Sequence, residues 1–342
     1  MKICICGGGN LGHVMAGFIA AQEKYEVRLL TRKPELWSNT LTIETPSNEE
    51  LVGHLQGIYG HAKDAVKGVD IVLLCLPGFS IREVLLQIKD CLDSYTAVGS
   101  VVSSTGFFFE AMKILPATTP LFGFQRVPFI SRLQTYGHKA RLMGYKESLN
   151  MAVERSKNAG LLRNTLSEML KTHIHLLGSY YEASLSNSNP LLHPARLYSL
   201  WKDWHEGVFY SNFPLFYEEW TEEAAQLYLQ MDCELHQLLG VLPVDPDSIP
   251  TVLDYYESKD VTSLAAKLRS IEAFKGIQAP MQKVESGYLP DFRSRYFTED
   301  FPYGLAIVRQ LAHKYRTPSS TIDRVYEWGM RMLDNSSRGA DE

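Results

Sequence analysis

Lys2-Ile3-Cys4-Ile5-Cys6-Gly7-Gly8-Gly9-Asn10-Leu11-Gly12 opens the chain with a short apolar run that halts at three glycines and resumes as a helical pattern over residues 10–22. Gly7, Gly9 and Gly12 satisfy G-x-G-x-x-G immediately after a predicted strand and at the start of a predicted helix. In that setting each glycine has a reason. The first permits the tight turn, the second lets a pyrophosphate approach the backbone, and the third allows close helix–strand packing, while free N–H groups at the helix start attract phosphate. Gly7, Gly9, Asn10, Leu11 and Gly12 are therefore expected to bind a dinucleotide. A glycine-rich turn without a ligand has the same six residues, so the elements that follow must decide.

Working outward, apolar runs over residues 27–31, 71–76 and 97–103 alternate with helical patterns such as 81–92, which is the signature of a parallel sheet covered on both faces. The second run ends in Thr31-Arg32-Lys33, where an NAD-preferring site commonly places a carboxylate on the ribose hydroxyls. A hydroxyl and a guanidinium at Thr31 and Arg32 suit a 2′-phosphate, so NADP is the expected cofactor and NAD the alternative. Pro77, within Leu76-Pro77-Gly78, and the stretch Ser104-Thr105-Gly106 are expected to wall the nicotinamide site. Extended runs at 120–127 and 139–144 follow, with Gly137 and His138 marking a hairpin. From about Met151 the pattern turns helical, most clearly over 221–239, then 262–274, 304–315 and 319–333. The polar tail 335–342 is expected to fray. The expected fold is an α/β Rossmann domain, residues 1–180, followed by an all-α C-terminal domain, residues 181–335.

Composition narrows the function classes. The chain has 342 residues, and 34 Lys and Arg against 39 Asp and Glu give a formal net charge of −5. That balance gives no support for a basic nucleic-acid or anionic-membrane surface. No apolar stretch approaches the 18 or more residues of a membrane span, and the opening run is too short for a signal peptide. Five cysteines, an odd number, with Cys4, Cys6 and Cys75 inside apolar runs, fit a reducing cytoplasm better than a disulfide framework. His173-x-His175 lacks the further ligands that a metal site needs, so no metal is expected.

The dinucleotide domain supplies only the redox reagent, so the reaction must be read from the second half. Ser188-Asn189-Pro190-Leu191-Leu192-His193-Pro194 places Asn189 and His193 four residues apart, on one face of any helix that starts with Pro190 at its first position. The segment Arg293-Ser294-Arg295-Tyr296-Phe297-Thr298-Glu299-Asp300-Phe301-Pro302-Tyr303-Gly304 combines two arginines with two acids before another helix. Arg293, Arg295 and Arg132 are candidate carboxylate clamps, because guanidinium binds carboxylate bidentately.

These segments resemble the octopine, nopaline and related opine dehydrogenases, within the wider group whose helical C-terminal domain is like that of 6-phosphogluconate dehydrogenase. Beyond the glycine turn, the resemblance rests on Val127-Pro128-Phe129-Ile130-Ser131-Arg132, on Asn189 to His193 with Pro194, and on Arg295 through Gly304. It implies an NAD(P)-dependent condensation of an amino acid with a 2-oxo acid, by hydride transfer to an imine. The family's histidine falls on His193, its aspartate on Asp300 and its asparagine on Asn189. Proton exchange near neutral pH suits imidazole, whose ordinary pKa is about 6.5. A carboxylate on its other nitrogen fixes the tautomer and stabilises imidazolium. Asn189 would position substrate or nicotinamide, and Glu299 is the rival acid.

Two other readings stay open at this level. One is a 2-oxo acid reductase of the ketopantoate reductase type, and the other a non-enzymatic NADP-binding sensor. The expected partners are small-molecule substrates, an amino acid and a 2-oxo acid, with neither nucleic acid nor membrane, and a homodimer is compatible with that reading.

Overall fold

Side-chain alternation in the first strand explains why the sheet is covered on both faces. In β1 (Lys2–Cys6), Ile3 and Ile5 join one buried cluster while Cys4 and Cys6 join another. Successive strand residues point to opposite faces, so a strand apolar at every position must be packed on both sides. The computed structural model describes residues 1–338. It divides into two compact units, Met1–Ser186 and Asn187–Glu342.

In the first unit, β1 is followed by α1 (Asn10–Ala20), β2 (Glu26–Leu30), β3 (Thr40–Glu44), β4 (Glu50–His54), β5 (Gly57–Tyr59), α2 (Ala62–Val66), β6 (Ile71–Leu74), α3 (Gly78–Ile88) and β7 (Ala97–Ser100). Then come α4 (Phe107–Ile114), β8 (Leu121–Phe124), β9 (Phe129–Thr135), β10 (Lys139–Tyr145), β11 (Ser148–Glu154), α5 (Ala159–Leu170), β12 (His173–Leu176) and α6 (Tyr180–Leu185). The main sheet runs β12-β11-β8-β7-β6-β1-β2-β5. From β5 to β8 all pairings are parallel, the doubly wound order in which the direction of winding reverses beside β1. The glycine turn leaves the carboxyl end of that strand. Only β11 against β8 is antiparallel.

Two features depart from the sequence expectation. Strands β11 and β12 carry the sheet well past Met151, where a change to helix was expected. Only Ile174 of β12 is buried, so the edge strand leaves little apolar pattern to read. A second sheet, β4-β3-β10-β9, was not foreseen beyond its Gly137 hairpin. It lies on the far side of α1, and nearly every residue of that helix from Gly12 onward is buried. Gly17 shows how closely the helix approaches, since a Cβ there would sit 2.5 Å from the Ile43 side chain.

The second unit is helical, with α7 (Asn189–Trp201), α8 (Glu222–Leu239), α9 (Val252–Tyr255), α10 (Val261–Ser270), α11 (Arg295–Thr298), α12 (Ala306–Tyr315) and α13 (Ser320–Arg338). One hairpin, β13 (Met281–Val284) with β14 (Gly287–Pro290), is its exception. Thr221 caps α8 by accepting the Ala224 N–H, and Asp260 forms a reciprocal capping box with Ser263 on α10. Glu234, buried in α8, accepts the N–H groups of Thr321 and Ile322 and so fixes the start of α13. That last helix runs to Arg338, into the tail expected to fray, and the rest of the tail lies outside the described residues. No helix among the described residues is long and apolar enough to cross a membrane.

Candidate active site

The glycine turn is built as its spacing demands. Gly7 has φ +121°, and a Cβ on it would lie 2.4 Å from the Cys75 carbonyl oxygen. A Cβ on Gly12 would lie 2.0 Å from the Gly7 carbonyl oxygen, so the helix can close on the turn only with glycine there. Gly9 differs, because a Cβ there would meet nothing within 4 Å. That open space, at the uncapped N-terminus of an eleven-residue helix with no acid in its first turn, fits an approaching phosphate. A cleft of about 490 Å³ extends from the turn, lined by Gly7, Gly9, Thr31, Arg32, Lys33 and Pro77 among others. Its dimensions and donors fit a dinucleotide. Asn10, Leu11 and Gly12 stand behind the lining, and the Asn10 side chain accepts the Leu133 N–H at 3.0 Å.

His13, which sequence reasoning passed over, is the hinge pin of this turn. It is 1% exposed and stacks on Trp37 at 3.9 Å. Its Nδ1 donates to the Gly9 carbonyl at 2.9 Å and its Nε2 accepts the Gly137 N–H at 2.7 Å. This arrangement requires neutral imidazole, and burial holds His13 below its ordinary pKa. No motif announces such a residue. Its partners lie four and 124 residues away.

In the second unit, α7 begins at Asn189 with Pro190 next, which costs nothing where the first N–H groups have no helical acceptor. Asn189 is exposed, and its backbone N–H donates to Asn187 Oδ1. One turn on, His193 is 8% exposed. Its Nδ1 lies 2.8 Å from Asp300 Oδ2 and its Nε2 lies 3.0 Å from the Tyr217 hydroxyl. An ionised carboxylate can only accept, so Nδ1 carries the hydrogen and Nε2 accepts from the phenol. The Tyr296 ring meets the imidazole edge-on at 4.7 Å and stacks on Phe216 at 4.9 Å.

Asp300 is aimed by an irregular turn. Residues Phe301–Leu305 form a π-helical turn in which the Leu305 N–H donates to the Asp300 carbonyl at 2.7 Å. Gly304 lets this turn press on Pro190, where a Cβ would come within 2.8 Å of the proline ring. Gly329 of α13 makes room for the Phe301 ring in the same way, its added Cβ falling 2.0 Å from that ring. The contact that joins the α7 start to the π turn thus also joins His193 to Asp300. Glu299, the rival acid, is not the residue bonded to His193.

The arginine candidates are dispersed. Arg295 opens α11 and Arg293 precedes it, both exposed, in the segment leading to Asp300. Arg132 is exposed on β9 and pairs across the ladder with Arg141. His173 and His175 meet edge-on at 4.4 Å, and no cluster of three metal-ligating side chains occurs among the described residues.

Residues 176–333 match the model for the NAD/NADP octopine/nopaline dehydrogenase alpha-helical domain. The helical unit is an octopine/nopaline dehydrogenase domain. Residues 3–134 match the ketopantoate reductase PanE/ApbA model. Together with that dinucleotide-type unit, the opine dehydrogenase domain makes the chain an NAD(P)-dependent oxidoreductase acting on CH–NH bonds. The tauropine dehydrogenase of Arabella iricolor is 28% identical to it, over 97% of this chain and 91% of the relative. An octopine dehydrogenase, solved with NADH and L-arginine, shares its fold with a TM-score of 0.86 at 23% identity, covering 98% of this chain and 90% of that one. A companion structure of that enzyme holds NADH and pyruvate. A yersinopine dehydrogenase with NADP+ bound superposes at a TM-score of 0.74 with 16% identity, covering 98% and 91%. The opine dehydrogenase fold therefore extends over both units, each with the architecture described above.

Proposed function

We propose that this opine dehydrogenase condenses an amino acid with a 2-oxo acid and reduces the imine with NADPH, giving a secondary amine, NADP+ and water. The observation that carries this reading is the His193–Asp300 pair at 2.8 Å. A simple reductase and a redox sensor have less need of an imidazole whose tautomer is fixed by a carboxylate. Condensation needs a group that first takes a proton from the attacking ammonium and then gives one to the departing hydroxyl, and His193 suits both tasks. A dinucleotide bound with its pyrophosphate at the glycine turn would supply the hydride from its nicotinamide. The family match to ketopantoate reductase is confined to residues 3–134, and a solved ketopantoate reductase that covers 98% of this chain does so at 15% identity, so both speak to fold and cofactor and not to chemistry.

Asn189, one helical turn before His193 on the same face, is assigned to orient substrate or nicotinamide through its amide. Arg132, Arg293 and Arg295 are assigned to substrate carboxylates, of which a condensation product carries more than either simple ketone or alcohol. NADP over NAD rests on Thr31, Arg32 and Lys33 lining the cleft. Glu83 and Gln87 of α3 line it too, so the cationic side is formed by the end of β2. The five free cysteines, three of them buried around the sheet, support a reducing, cytoplasmic setting.

The test is cofactor oxidation with pooled amino acids, pooled 2-oxo acids, or both. NADPH consumption that requires both pools, with a secondary amine in the mass spectrum, is the expected result. A 2-hydroxy acid as the sole product moves the assignment to ketone reduction. No turnover with any combination overturns enzymatic condensation.

A further inference from the structure

Both ring nitrogens of His193 are engaged. Nδ1 meets Asp300 and Nε2 meets the Tyr217 hydroxyl, and the ring is 8% exposed between Phe216, at 5.7 Å, and Tyr296. A proton that travels between His193 and a substrate must therefore pass through Tyr217 or wait for it to leave. The surroundings of Tyr217 oppose its leaving. Its ring is 5% exposed, stacks on Phe274 at 4.1 Å and lies nearly parallel to Trp220. Its backbone is strapped on two sides. The Phe216 N–H donates to the Ile277 carbonyl at 2.7 Å. Arg196, one turn after His193 on α7 and 1% exposed, donates to the Phe216 carbonyl at 2.8 Å and to the Leu215 carbonyl at 3.1 Å. The guanidinium is so enclosed that burial lowers its pKa to about 10, against the opposing pull of the Glu219 charge. Helix α7 thus carries both the imidazole and the clamp that holds the tyrosine segment against it.

We propose that Tyr217 is a further catalytic residue, a phenol that relays the proton between His193 Nε2 and the substrate, in a line Asp300–His193–Tyr217. This rests on the condensation reading above. In the dehydration step, the Nε2 proton of imidazolium moves to the Tyr217 oxygen while the phenol's own proton moves to the hydroxyl leaving the carbinolamine carbon. The C–O bond breaks, water departs, and the nitrogen lone pair forms the C=N bond of the iminium. Imidazole and phenol both finish neutral. Burial raises the Tyr217 pKa above the ordinary phenol value, which disfavours a standing phenolate and favours the two protons moving together.

The test uses the full chain with NADPH, pooled 2-oxo acids and pooled amino acids, after the wild-type product has been identified by mass spectrometry. If the wild type forms no secondary amine, the condensation reading fails; if it does, the following outcomes concern the relay alone. The wild-type single-turnover rate, measured in H2O–D2O mixtures, is expected to bow downward with deuterium fraction, as two protons in flight require. Tyr217→Phe, which keeps both ring stacks, is expected to lose about 10²-fold or more in kcat with NADPH binding unchanged, and its residual rate should depend linearly on deuterium fraction. A linear wild-type dependence overturns the relay whether or not the variant folds. A variant as fast as wild type overturns it as well, and a faster one shows that Tyr217 blocks His193.

Discussion

His193 and Asp300, 107 residues apart in sequence, meet through a 2.8 Å bond between Nδ1 and Oδ2, and neither belongs to the dinucleotide-binding unit. On the proposed roles, His193→Ala should lower turnover by roughly 10²–10⁴-fold while NADPH binding, measured by nicotinamide fluorescence, is retained. Asp300→Asn should also depress turnover, since an amide cannot stabilise imidazolium. The double variant should be scarcely worse than His193→Ala alone, as expected of residues acting as a unit. Additive losses would place Asp300 outside the proton path.

Cofactor choice is tested at Arg32. If its guanidinium binds the 2′-phosphate, Arg32→Ala weakens NADPH by about 1–3 kcal/mol and leaves NADH nearly unchanged. Parallel titrations with the two cofactors decide the matter, and equal losses for both count against the phosphate role.

The glycine turn allows folding to be separated from binding. Gly9→Ala adds a methyl where nothing lies within 4 Å, so melting temperature should hold while NADPH affinity falls by about tenfold or more, the methyl occupying the phosphate's approach. Gly12→Ala forces a methyl to 2.0 Å from the Gly7 carbonyl oxygen and should lower both. A Gly9→Ala protein with normal affinity would show that the pyrophosphate takes another path.

Much of this site was legible because it is local. The turn from Gly7 to Gly12 is contiguous, and its strand and helix are its immediate neighbours. The Asn189 and His193 spacing likewise fixes a shared helix face. His13, Tyr217 and Arg196 were not legible, because each acquires its role from partners that only tertiary packing supplies. Tyr217 sits in Asn212-Phe213-Pro214-Leu215-Phe216-Tyr217, a stretch with neither helical nor strand period. The second sheet escaped notice for a similar reason. Its strands β4 and β9 are largely exposed, with few apolar residues to mark an alternation, and what holds them is the far face of α1.

A pH effect follows from His13. Because burial lowers its pKa in the folded protein, the folded state binds fewer protons than the unfolded chain from the ordinary value of about 6.5 downward to its own. The stabilisation is complete above that range and is lost as pH falls through it. Melting temperature should therefore drop as pH falls below about 6.5. His13→Phe keeps the Trp37 stack but strands the Gly137 N–H, which should cost about 1–3 kcal/mol at neutral pH and flatten this part of the profile. An unchanged slope would assign the acid sensitivity to other groups.

The π-helical turn at Phe301–Leu305 has a consequence for chain length as well as chemistry. Successive residues of an α-helix are separated by about 100° of rotation, and a π turn holds one residue more than its α equivalent. The extra residue is thus taken up within the turn and leaves Asp300 and α12 nearly in phase, whereas one residue removed from α12 itself, with no such turn to absorb it, would swing Asp300 by about 100° relative to the rest of that helix. Every side chain named at the site would remain in the sequence, yet His193 would lose its carboxylate. The pairing of these two residues is thus written partly as a count, and an alignment that scores residue identity alone will not see it broken.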